Sequence, residues 1–199
     1  MLTGRDDSSL VVDRLCDQTS RKTTAVSCFY FDFAARREQS APNVLGSLLK
    51  QMVGGMDRIP EEISRAFQQQ TTTIGGRRPQ LIDIVKMLQV ITFSRRTFMC
   101  IDGLDECSGV QRVRLLDSLQ QILDKSPGTR IFATGRPHIL AEMEQRLVGH
   151  VKSISISPIR KEITEYLRIK LHEDETPDSM DAGLKVDILE KVPENVSEV

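Results

Sequence analysis

Three carboxylates, Asp102, Asp105 and Glu106, follow an apolar run in the segment FMCIDGLDECSG, residues 98–109. Two carboxylates held about 5 Å apart repel by about 3 kcal/mol at an effective dielectric of 20, so a fold that gathers them there calls for a cation or a proton. Some thirty residues on, TGRP (134–137) places Arg136 at the end of a second β-branched and aromatic run, RIFAT. The plainer account is a solvated strand-to-helix loop in which one acid caps the helix beginning near Val110, with Arg136 an ordinary surface arginine.

Other chemistries fit less well. Cys16, Cys28, Cys100 and Cys107 are widely spaced, form no CxxC pair and mostly fall in apolar runs, which favours reduced, buried thiols over disulfides or zinc. Cys107 and His138 lack the local signatures of cysteine hydrolases. Gly75 and Gly76 precede two arginines in the low-complexity loop QQQTTTIGGRRP (68–79), but no strand leads into them. The formal charge is −1, and the pairs Arg36-Arg37, Arg77-Arg78 and Arg95-Arg96 are scattered, which argues against a nucleic-acid partner. No apolar stretch reaches the length of about 20 residues needed to span a bilayer, and MLTGRDDSSL has no signal core, so no membrane is expected and the expected location is cytoplasmic.

The acids and the arginine must be positioned by a scaffold, and the apolar pattern outlines one. With 199 residues, 39 % of them apolar, the chain can bury a real core. SSLVVDRLCD (8–17) has helical spacing, and TAVSCFYFDF (24–33) reads as a strand. Three helices follow, at 41–53, 60–70 and 79–94, two of them opening at a proline. Then come a strand at 97–101, a helix at 110–125, a strand at 129–134, a helix at 138–148 and a strand at 151–157. Apolar strands joined by helices of this length predict an α/β fold with a mostly parallel sheet covered on both faces. Two further helices, 160–174 and 180–192, form a helical C-terminal extension. In such a sheet ligands sit outside the carboxyl ends of the strands, where Asp102 to Glu106 and TGRP both fall.

At this point TFMCIDGLDEC resembles the Walker B segment of STAND-class P-loop NTPases, of the NACHT and nephrocystin-3-like N-terminal group, and RIFATGRP is similar to their next strand with its sensor arginine. The order of elements agrees over roughly residues 8 to 172. The resemblance implies a P-loop NTPase-like, three-layer αβα core over 1–157 and the start of a helical subdomain over 158–199. It implies Mg²⁺ with ATP or GTP as cofactor, Asp102 and Asp105 in the metal shell, Asp105 and Glu106 polarising the attacking water, and Arg136 sensing the γ-phosphate. Gly4 would stand where a phosphate-loop glycine stands. Relatives of this kind are nucleotide-dependent signalling switches in innate-type immunity and cell death, with protein partners or self-association through the NTPase module.

The sequence departs from that pattern at one place. A P-loop needs GxxxxGK[ST], whose amides surround the phosphates while the lysine reaches the outer oxygens, and these residues do not contain it. Arg5 stands near the lysine position, and Asp6 and Asp7 would repel phosphate. The family's first strand, expected between RIFAT and VKSISIS, is also missing, which implies a truncated copy with a compromised nucleotide site and marginal stability. The alternative is a non-enzymatic interaction fragment that keeps the fold and binds no nucleotide. Nucleotide binding separates the two.

Overall fold

The computed structural model describes residues 11–17, 24–35, 38–71, 79–157, 159–173 and 180–196. The elements run as a helix α1 (11–17), a strand β1 (Thr24–Tyr30), helices α2 (Ala41–Gly54), α3 (Glu61–Thr71) and α4 (Leu81–Ser94), and a strand β2 (Arg96–Asp102). A helix α5 (Gly109–Lys125), a strand β3 (Thr129–Ala133) and a short helix α6 (Leu140–Arg146) follow, then helices α7 (Arg160–His172) and α8 (Ala182–Val196). Residues 2–151 form one compact unit and 152–199 belong to the other.

The larger unit is α/β, as the alternation of strands and helices predicts. Its sheet is parallel throughout, in the order β1-β2-β3, so the run RTFMCID occupies the centre. Cys28 is the register partner of Cys100, Tyr30 of Asp102 and Ile101 of Ala133. Because strand side chains alternate, Ala25, Met99, Ile101, Ile131 and Ala133 share one face. They meet Val44, Leu45 and Leu48 of α2, Leu88 and Ile91 of α4, and Leu115, Leu119 and Ile122 of α5 in a single core. The helix α1 belongs to the other face, where Cys16 is close enough to Cys28 and Cys100 to disfavour their ionisation.

Local signals explain where the helices begin. Pro42 stands in the first turn of α2, and the Ala41 N–H donates to Gln111 Oε1 at 3.0 Å. At α4 the Asp83 carboxylate accepts the Gln80 N–H at 3.2 Å, which satisfies one donor and sets a negative charge on the positive end of the helix. The outer edge of β1 is sealed by one side chain. Gln51 accepts the Cys28 N–H at 2.9 Å and donates to the Cys28 carbonyl at 2.7 Å, as a neighbouring strand would.

One predicted strand is absent. Residues 151–157, VKSISIS, carry no strand assignment, and Ile154 and Ile156 are 86 % and 85 % exposed. A period-two pattern becomes a strand only when its backbone finds a partner ladder, and among the described residues no strand pairs with these or with the free edge of β3. In the smaller unit α7 and α8 pair with each other, and α8 continues past the expected stop at Pro193 to Val196. Pro193 offers no N–H to Leu189, but Glu194 just beyond it reaches Arg160 at 3.1 Å, which ties the last turn to the start of α7.

Candidate functional site: the acidic rim at the carboxyl end of the sheet

The backbone itself assembles the rim. At the end of β2 the Phe31 N–H donates to the Asp102 carbonyl at 3.0 Å, and the Thr134 N–H donates to the Ile101 carbonyl at 3.0 Å. The chain then turns at Gly103, whose φ of 67° lies in the left-handed region open to glycine, into a single 3-10 turn, Leu104–Glu106. The Leu104 N–H closes that turn onto the Thr134 carbonyl at 2.9 Å. All three strands thus deliver their carboxyl ends to one place.

Asp102 is buried there. Thr134 holds it: the hydroxyl donates to Asp102 Oδ1 at 2.5 Å and accepts the Gly103 N–H at 3.0 Å. One side chain therefore fixes both the carboxylate and the turn that follows it. Asp105 is also mostly shielded, with 12 % of its side chain exposed against 78 % for its partner Arg136. Its Oδ1 accepts the Arg136 N–H at 3.3 Å, and its Oδ2 lies 3.4 Å from Arg136 Nε. Gly135 is packed so closely that a Cβ there would come within 2.7 Å of Ile139 Cδ1, so the TGRP turn is held against the following 3-10 turn, Pro137–Ile139.

The structure brings Asp102, Asp105, Glu106 and Arg136 to the same end of the sheet, from two adjacent strands. None of the acids caps the next helix: α5 has Ser108 as its N-cap residue, with no side-chain hydrogen bond there. Arg136, expected as a phosphate sensor, faces Asp105, with which its exposed guanidinium forms an ion pair across the rim. Cys107 is buried, and its carbonyl accepts from Arg112 Nη1 at 3.0 Å. Arg112 also reaches Glu142 at 2.7 Å and so ties α5 to α6 just behind the rim. Gly4, Gly75 and Gly76 lie outside the described residues. Thr134 is the residue that motif reading passes over. Its signal is a hydroxyl-bearing residue at the end of a β-branched strand, one register step beyond Ile101 and Ala133.

No group of three His, Cys, Asp or Glu among the described residues is arranged to hold a metal ion by itself. The donor set is one buried carboxylate flanked by an acid already engaged by arginine. This suits a hard cation that keeps most of its own water and takes one or two carboxylates together with phosphate oxygens, and does not suit a closed protein cage.

Fold and rim together define a layered α/β domain with a buried aspartate at the carboxyl end of its central parallel strand. The chain belongs to the nephrocystin 3, N-terminal family, whose model matches residues 8–136 and so spans all three strands and the rim as far as Arg136. No curated protein and no solved structure matches the chain. No described helix is long and apolar enough to cross a membrane.

Proposed function

We propose that the rim is the magnesium-side half of a P-loop nucleotide site, in a NACHT- or STAND-like signalling module of the cytoplasm whose ATP or GTP site is compromised. The observation that carries this reading is Asp102, buried at the end of the central strand and clamped by Thr134. In this reading Asp102 takes part in the shell of a Mg²⁺ that arrives with the nucleotide, and Asp105 and Glu106 orient water at the rim. Bound magnesium supplies charge neutralisation on the phosphates. With a nucleotide bound, Arg136 would face the phosphates in place of Asp105, and Asp105 would be left to accept a hydrogen bond from water. The switch is this exchange of partners, since Arg136 cannot serve Asp105 and a phosphate equally well.

The weak part of the site is the phosphate grip, because the 199 residues contain no GxxxxGK[ST]. Charge-assisted hydrogen bonds of that loop contribute roughly 1.5 to 3 kcal/mol each, so losing a few weakens binding by several powers of ten. The test is a titration with a fluorescent ATP analogue and Mg²⁺, on this chain and on a version extended by a strand and a GxxxxGK[ST] loop. Micromolar binding by the extended version, at least about 100-fold weaker binding without the extension, and loss on Asp102→Ala are expected. An extended version no better than the chain itself would overturn the reading. It would leave the second one, a non-enzymatic interaction module that keeps the fold and binds no nucleotide.

A further inference from the structure

The opposite end of the sheet carries the opposite chemistry. Arg95, Arg96 and Arg130 converge there on an open cavity of about 380 Å³, flanked by Phe93, Ser94 and Gly128. Among the described residues no carboxylate lines it, although the chain as a whole balances 27 basic against 28 acidic residues. Arg96 lies 5.2 Å over the Phe98 ring, and Phe98 is the register partner of Arg130, so two guanidinium-bearing residues flank one aromatic on the same face of the sheet. Arg130 Nη1 donates to the carbonyls of Pro127 at 2.9 Å and Thr129 at 2.8 Å. Neither Arg96 nor Arg130 forms an ion pair among the described residues.

Part of this charge has a structural reason. Helices α4 and α5 both end here, at Ser94 and Lys125, and each C-terminus carries roughly half a negative charge that cations complement. The charges of Arg96 and Arg130 alone exceed that requirement by about one. The cavity wall is also fixed in advance, since the buried hydroxyls of Thr92 and Ser126 lie 2.6 Å apart and pin the ends of α4 and α5 together. A planar guanidinium fork matches phosphate oxygens in pairs. The cavity is larger than a single phosphate needs and falls in the usual size range of small-molecule sites.

We propose that this cavity is a second anion site, which takes a phosphate-bearing small molecule with two or more negative charges and needs no magnesium. Arg96 and Arg130 supply the specific contacts, and the ring of Phe93, 77 % exposed at the rim of the cavity, offers a face to an apolar or planar part of the ligand. The site is independent of the nucleotide reading, because it lies at the amino ends of the strands and uses none of the rim acids.

The test is calorimetric titration of the full chain with inorganic pyrophosphate at low salt with a chelator. Saturable binding with a Kd of about 1 mM or tighter is expected. Arg96→Gln and Arg130→Gln should each weaken it about tenfold or more, Arg96→Lys should restore part of the loss, and Asp102→Asn should leave it unchanged. Added Mg²⁺ should weaken binding by neutralising the ligand. Both arginines are exposed, so circular dichroism should show the variants folded. Absence of saturable binding, binding that both glutamine variants retain, or binding that requires Mg²⁺ and is lost with Asp102→Asn would each overturn the proposal. The last outcome would instead assign the pyrophosphate to the acidic rim.

Discussion

The two faces of the sheet are built to different standards. On one, Met99 and Ile101 are fully buried and Ile131 and Ala133 are packed against the same core, which three helices close. On the other, Phe132 is 40 % exposed, Phe98 and Cys28 are half-buried, and of the described apolar side chains only Cys100 is fully enclosed. Burial of apolar area stabilises by about 25 cal/mol per Å², so the larger share of the sheet's hydrophobic stabilisation sits on the first face. The difference teaches why the rim is well formed. Its acids hang from the ends of strands whose first face is anchored in the core.

Removing side chains from the two faces should expose this asymmetry. Ile101→Ala empties a fully buried position beside Asp102 and should cost about 2 to 5 kcal/mol in urea denaturation, with loss of a cooperative transition as the extreme result. Gln51→Ala acts at the edge where both faces meet. It leaves the Cys28 N–H and carbonyl without their side-chain partner, and about 1 to 3 kcal/mol together with faster aggregation is expected. Phe132→Thr keeps strand propensity on the loose face and should change stability by less than about 1 kcal/mol. If Phe132→Thr proved as costly as Ile101→Ala, the second face would be as firmly built as the first.

Much of this was legible in the sequence, and the reason is periodicity. The central run TFMCI, the helices at 41–53 and 110–125 and the position of Asp102 at a strand end all rest on apolar patterns that tertiary packing reinforces. VKSISIS shows where such a pattern fails, because alternation says which face a strand would bury and not whether a neighbouring strand exists. At the rim, the grouping of Asp102, Asp105, Glu106 and Arg136 was readable from their places after two strands. That Arg136 faces Asp105 was not, nor that Thr134 clamps Asp102, since both depend on side chains that converge across about 30 residues of sequence. Gln51 as an edge seal was hidden for the same reason, because on an exposed turn of α2 it reads as ordinary helix surface.

The smallest effect concerns the enclosed thiol of the loose face. Burial, and then the neighbouring Cys28 and Cys16 thiols, push the Cys100 pKa up to about 11. Near neutral pH the group is a neutral thiol in the folded and unfolded states alike, so it makes no pH-dependent contribution to stability there. Above about pH 9 the unfolded chain releases the proton while the folded chain still holds it, and the unfolded state then binds fewer protons. Stability should therefore fall between about pH 9 and the folded pKa of about 11. Replacing Cys100 by alanine should remove its share of that fall, leaving whatever the raised Cys28 and Tyr30 groups contribute. Thiol labelling of the native protein at pH 8 reads the same property more directly. Exposed Cys16 should react well before buried Cys100, with the Cys100 rate rising about tenfold per pH unit toward 11 because the thiolate is the reactive species. Equal labelling rates for Cys16 and Cys100 at pH 8 would mean that the loose face opens to solvent, and the contrast between the two faces would then be one of order as well as of burial.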